Sequence, residues 1–175
     1  MPDAHRKLFE RELNTVPEAA EVRKLAAEAK ASNGEASEAL RMTLAARLAH
    51  VAFLAPDRVG EIYDALAEGW IGEPIEAAPI RTLDEPPLHA PAGLWDTYWG
   101  IVEDGVADKL DALSVTQRTA DLGGEHSAEF VERVVRMSFT YEGVEEVSKW
   151  PLPRRLDLDE LGACPENSVG HLFYH

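Results

Sequence analysis

Apolar residues recur along this chain at helical spacing, and the pattern predicts helices almost throughout. Residues 4–13 form a short candidate, with Leu8, Phe9 and Leu13 on one side. Thr15-Val16-Pro17-Glu18 fits a capping box with proline in the first turn, and predicts an alanine- and glutamate-rich helix to about Ala31. Asn33-Gly34 ends it, because both residues accept the left-handed conformation of a helix cap. From Glu35 to Leu54, Leu40, Leu44, Leu48 and Val51 make an apolar stripe, with alanines that allow close approach of a neighbour. His50 lies beside this stripe and reads as a core or boundary histidine.

The most regular segment is Pro56–Trp70. Val59, Ile62, Tyr63, Leu66, Ala67 and Trp70 fall on one face, and the segment is expected to be central to the core. Gly69 and Gly72 are expected to end it. The proline-rich stretch 72–92 holds Pro74, Pro79, Pro86, Pro87 and Pro91, so it cannot be a regular helix. Its isoleucines and leucines predict an ordered loop draped over the helices. Helix resumes from Gly93 to Leu110, where Trp95, Tyr98 and Trp99 cluster and read first as core aromatics.

Leu113 to Gly124 is polar and ends in two glycines, which predicts a loop with a partial helix. Ser127 to Glu146 reads as one helix with a seam of Phe130, Val134, Met137, Tyr141 and Val144. Trp150-Pro151-Leu152-Pro153 stops it. Asp157 to Glu160 then fits a second capping box, and Pro165-Glu166 starts a last helix carrying Val169, Gly170, Leu172 and Phe173. No strand-like alternation and no repeat is visible. The expected class is all-α, an irregular bundle of about seven helices in a single domain spanning 1–175.

Composition narrows the function. Apolar residues make up 45% and charged residues 28%, as in ordinary globular proteins. The formal net charge of −15 argues against nucleic acid and against electrostatic docking on anionic lipid. Cys164 is the single cysteine, so no intramolecular disulfide can form. The first residues lack an apolar core of signal-peptide type, and no run is long enough to span a bilayer. A cytoplasmic location is expected.

There is no phosphate-cradling glycine loop, zinc-type cysteine pair or nucleophile elbow. Glu125-His126 near Asp121 reads as a helix-start cluster. His171 and His175 stand four apart, so on a helix both imidazoles face one way and form a usable pair of metal ligands. A third donor from Asp121, Glu125 or Glu129 is needed. The alternative reading is two surface histidines.

Leu156, Asp157, Leu158, Leu161, Pro165, Glu166, Gly170 and Tyr174 carry a family likeness. The segment resembles the Coq-four family of ubiquinone-biosynthesis proteins, and the likeness extends more weakly through Leu122-Gly123-Gly124 and 127–150. It covers the last third of the chain, from Leu113 onward. The resemblance implies a polyprenylated aromatic intermediate held in an apolar groove, with Phe139, Tyr141 and Phe173 near its walls. It implies other biosynthetic proteins as partners, a divalent metal serving oxidative decarboxylation at ring carbon C1, and peripheral association with the membrane; a homo-oligomer is also expected. The family's metal motif, His-Asp-x-x-His, lies downstream of the segment and does not occur in this sequence, so the C-terminal part of the family domain is expected to be missing. Two alternatives stand beside this reading: a non-enzymatic helical interaction or scaffold protein, and an unrelated histidine-metal enzyme.

Overall fold

A computed structural model describes residues 3–76, 82–151, 158–166, 168 and 171. The class is all-α, with nine α-helices and no strand among the described residues. Seven of the helices have seven residues or more. The chain packs as two compact units, residues 1–141 and residues 142–175.

The first unit begins with α1 (Asp3–Leu13), α2 (Ala19–Ala31) and α3 (Glu38–Leu54). A short 3₁₀ turn, Pro56–Arg58, leads into α4 (Val59–Ile71). The unit closes with α5 (Ala92–Val106), α6 (Ala112–Gly124) and α7 (Ala128–Ser138). Two five-residue helices, α8 (Val144–Ser148) and α9 (Leu158–Gly162), belong to the second unit.

The central element is α3, not the segment after it. One side of α3 gives Ala46, Ala49 and Leu54 to a cluster with Phe9, Leu13 and Trp99. Another side gives Val51 to a cluster with Val22 and Ile62, flanked by Leu44 and Leu48. A helix buried on several sides has little amphipathic contrast, so its regularity in sequence understates its centrality. Its start is fixed by Ser37, whose Oγ accepts from the Leu40 N–H at 3.2 Å.

In α4 the buried positions are Ile62, Ala65 and Gly69, with Leu66 half-buried, while Tyr63 and Trp70 stand exposed. The stripe therefore faces the core around Ile62, and its two aromatics do not join it. Gly69 does not end α4; it lies buried where α4 crosses α2. Gly72 does end it, in the left-handed conformation.

Three further boundaries differ from the sequence expectation. Thr15 caps nothing at α2. Its N–H closes the turn after α1 by donating to the Glu12 carbonyl, and the extended Glu18 precedes α2 without a side-chain cap. Residues 112–124 are a full helix rather than a loop. Asp111 Oδ1 accepts from the Ser114 N–H and hydroxyl at 2.7 and 2.5 Å, so a strong cap compensates for the missing apolar stripe. The helix expected over 127–146 stops at Ser138. The hydroxyls of Ser138 and Thr140 donate to the Val134 and Met137 carbonyls, offering the backbone an alternative to the helical ladder. Gly143, at φ +83°, then opens α8.

The aromatic cluster of α5 is core, as expected. Phe9 meets Trp95, Tyr98 and Trp99 at ring-centroid distances of 6.1, 5.6 and 5.1 Å. Phe53 meets Trp95 at 5.5 Å. Residues 82–91 run as an ordered strap without secondary structure, while residues 77–81 lie outside the described residues.

Candidate functional site

The geometry starts at the C-terminal end of α1. The last carbonyls of a helix have no intrahelical donor. Two residues of α3, one turn apart, supply donors. Arg47 Nη1 donates to the Glu12 carbonyl at 2.6 Å, and His50 Nδ1 lies 2.7 Å from the Leu13 carbonyl. Arg47 also pairs with Glu12 and Glu21 at 3.2 and 3.1 Å, which balances its buried charge.

His50 is left with a spare atom. A carbonyl oxygen only accepts, so Nδ1 carries the hydrogen and Nε2 is the bare lone pair. The residue is only 2% exposed, and its buried Nε2 has no hydrogen-bond partner. Burial pushes the imidazole below its ordinary value, and the Arg58 and Arg47 guanidiniums add to the lowering against the pull of the Leu13 carbonyl. The ring is therefore held neutral, in one tautomer.

His50 lines a cleft of about 390 Å³. Its walls come from the turn after α1 (Leu13, Asn14, Val16), from α3 (Leu54), from the strap (Pro87, Leu88, His89, Ala90) and from α5 (Trp95). A second cleft of about 280 Å³ shares Val16 and Pro87 and is lined by Arg58, Glu61, Thr82, Asp84 and Glu85. The two meet along the strap. One side is leucine- and tryptophan-walled, and the other is mainly acidic.

The strap is fixed at several points. The Leu88 N–H donates to the Leu54 carbonyl at the end of α3, at 2.7 Å. The Leu83 N–H donates to Asp57 Oδ2 at 3.2 Å. Arg133 of α7 donates to the Pro86 carbonyl at 2.9 Å and pairs with Glu85 at 3.2 Å. Arg136 grips both oxygens of Glu85, at 2.5 and 3.0 Å. Those bonds hold the Glu85 carboxyl below the usual carboxylate range. Asp57 and Arg133 are both buried and stand 3.7 Å apart, an ion pair without a direct hydrogen bond.

No family model matches the chain, nor does any curated protein or solved structure.

The residues singled out from the sequence fall elsewhere. Phe139 and Tyr141 follow α7 and are exposed; neither lines the two clefts. Phe173 and His175 lie outside the described residues. His171 is half-buried in the second unit, where its N–H donates to Ser168 Oγ at 3.2 Å and its Nδ1 lies 3.2 Å from the Gly162 carbonyl. Its Nδ1 therefore carries a hydrogen and is not the nitrogen that would hold a metal. Asp121 accepts from Gln117 at 3.0 Å, one turn away. His126 stacks on Phe130 with ring centroids 3.9 Å apart, so aromatic packing places it. Among the described residues no group of three or more His, Cys, Asp or Glu side chains is placed to hold a metal ion. His50 was legible as a core histidine. Its bare nitrogen was not, because that depends on Leu13, 37 positions away, and on the strap.

Proposed function

We propose that this protein binds a small molecule with both apolar and polar parts in the cleft between α1, α3, α5 and the strap. The observation that carries the reading is the cleft itself. Leu13, Leu54, Leu88 and Trp95 give it apolar walls, and Asn14, His89 and the buried His50 imidazole give it polar ones. Small-molecule sites combine these two features. The prenylated aromatic intermediates implied by the C-terminal resemblance belong to the same chemical class: an aromatic head on an apolar chain. Ubiquinone biosynthesis is the proposed setting, with this chain holding an intermediate rather than transforming it. A metal at His171 and His175 forms no part of the proposal.

The test is organic extraction of the purified protein followed by mass spectrometry, beside the variant Asn14→Trp. Asn14 is exposed at the mouth of the cleft, so an indole there blocks entry without touching the core. An aromatic or isoprenoid compound is expected from the natural sequence and is expected to be lost from the variant. Empty extracts, together with no shift in melting temperature on adding prenylated phenols, would reject the reading.

The exposed Tyr63, Trp70 and Ile71 of α4 favour a second reading, an interaction protein with an apolar face. Removing two of them, as Tyr63→Ser with Trp70→Ser, separates the readings. The first leaves ligand retention intact, and the second abolishes partner capture.

A further inference from the structure

We infer that the outer face of α4 is a docking surface for a basic amphipathic helix of a partner protein. The inference rests on the second reading above and names its partner. Ile62, Ala65 and Gly69 turn one side of α4 into the core, against α2 and α3. Tyr63, Ala67 and Trp70 follow one another at steps of four and three residues, so they form a ridge on another side. Tyr63 and Trp70 stand two turns apart, about 10 Å along the axis, and the exposed Ile71 extends the apolar surface. Trp70 is 52% exposed, although large aromatics are among the side chains that gain most from burial. A ridge of this spacing fits a second helix laid along it, with the two aromatics as anchors. The charge of that helix follows from the rim. Arg23 is taken by Glu68 and Arg58 by Glu61, and Lys30 Nζ donates to the Ile71 carbonyl at 3.4 Å. Asp64 on α4 and the exposed Glu73 and Glu76 beyond it have no cationic partner among the described residues. Lysines and arginines beside the apolar side of a partner helix would meet them. A second copy would instead set these carboxylates against their own kind across a twofold axis, on chains of formal net charge −15.

The experiment uses the full chain carrying fluorotryptophan, with the Trp70 resonance assigned from Trp70→Phe. It is titrated with an amphipathic helical peptide of leucine and lysine, with the same peptide bearing glutamate for lysine, and with phosphatidylcholine vesicles. Sedimentation reads self-association. The leucine–lysine peptide is expected to move the Trp70 resonance further than that of Trp150, which is also exposed, and to bind more weakly as salt rises. Tyr63→Ser with Trp70→Ser is expected to weaken binding about tenfold or more, as loss of two anchors does. That variant keeps the net charge, so it separates docking at this face from general attraction of a cationic peptide. Glu73→Gln with Glu76→Gln is expected to weaken binding and to flatten its salt dependence. If the serine variant fails to fold, the Trp70 shift in the natural sequence decides alone. Equal response to both peptides overturns the basic partner and leaves an apolar docking face standing. Equal movement of Trp70 and Trp150, a Trp70 response to vesicles alone, or a dimer that the serine variant abolishes also overturns the inference. A Trp70 resonance that no probe moves overturns it too, and the second reading falls with it if the serine variant captures partners as before.

Discussion

At the scale of single residues, Gly69 shows how a contact decides what a residue is for. A β-carbon there would stand 2.9 Å from Ala26 Cβ and closer still to the Arg23 carbonyl oxygen of α2. Glycine inside a helix ordinarily costs about 0.5–1 kcal/mol relative to alanine. Here the neighbour is backbone and cannot swing away. Overpacking of about 1–3 kcal/mol outweighs the propensity gain. Gly69→Ala is therefore expected to lower the melting temperature by roughly 3–6 °C, using the scaling for chains of this size. A thermal melt that stays level or rises would show that α2 and α4 part without cost. The sequence could not reveal this, because a glycine near a helix end looks the same whether it stops the helix or admits a neighbour. His50 teaches the same lesson. Its place beside the α3 stripe was legible, while its tautomer and spare nitrogen come from a carbonyl on another helix.

At the scale of elements, the strap is held by side chains remote in sequence, and it forms one wall of the cleft. Asp57 is its anchor from below, accepting the Leu83 N–H and facing Arg133 at 3.7 Å. Asp57→Ala removes an acceptor from one and a balancing charge from the other. Loss of one net hydrogen bond to a charged group corresponds to about 1.5–3 kcal/mol. The amide of Leu83 is expected to exchange its hydrogen at least tenfold faster, read by hydrogen-exchange mass spectrometry. The Leu88 amide, bonded to the Leu54 carbonyl, should change less. Uniform protection across 82–90 in the variant would refute the anchoring role. Prolines and interspersed leucines made the ordered loop legible, since a free linker does not carry that much apolar surface. The anchors were not legible, because they lie on the turn before α4 and on α7. The polar α6 is not legible as a full helix for a related reason: its stability draws on the Asp111 cap and on Arg118 reaching Asp104 at 2.7 Å, not on an apolar stripe.

At the scale of the molecule, helical periodicity gave the class, while the pairing of helices awaited the structure. Among the described residues every fully buried apolar side chain lies between Phe9 and Trp99. The last buried residue of any kind among the described residues is Arg133. Both clusters around α3, the cleft with His50 and the strap with its anchors thus fall within residues 1–141, one of the two compact units. A unit with its own core can fold alone, and about 140 residues suffice to bury one. A chain ending after Tyr141 is therefore expected to unfold in one cooperative transition, within a few degrees of the full chain. Its near-ultraviolet dichroism should keep the signal of Phe9, Trp95, Tyr98 and Trp99, because their mutual packing involves no later residue. A broad, non-cooperative melt, or loss of the aromatic signal at temperatures where the full chain is folded, would show that this core is not self-sufficient.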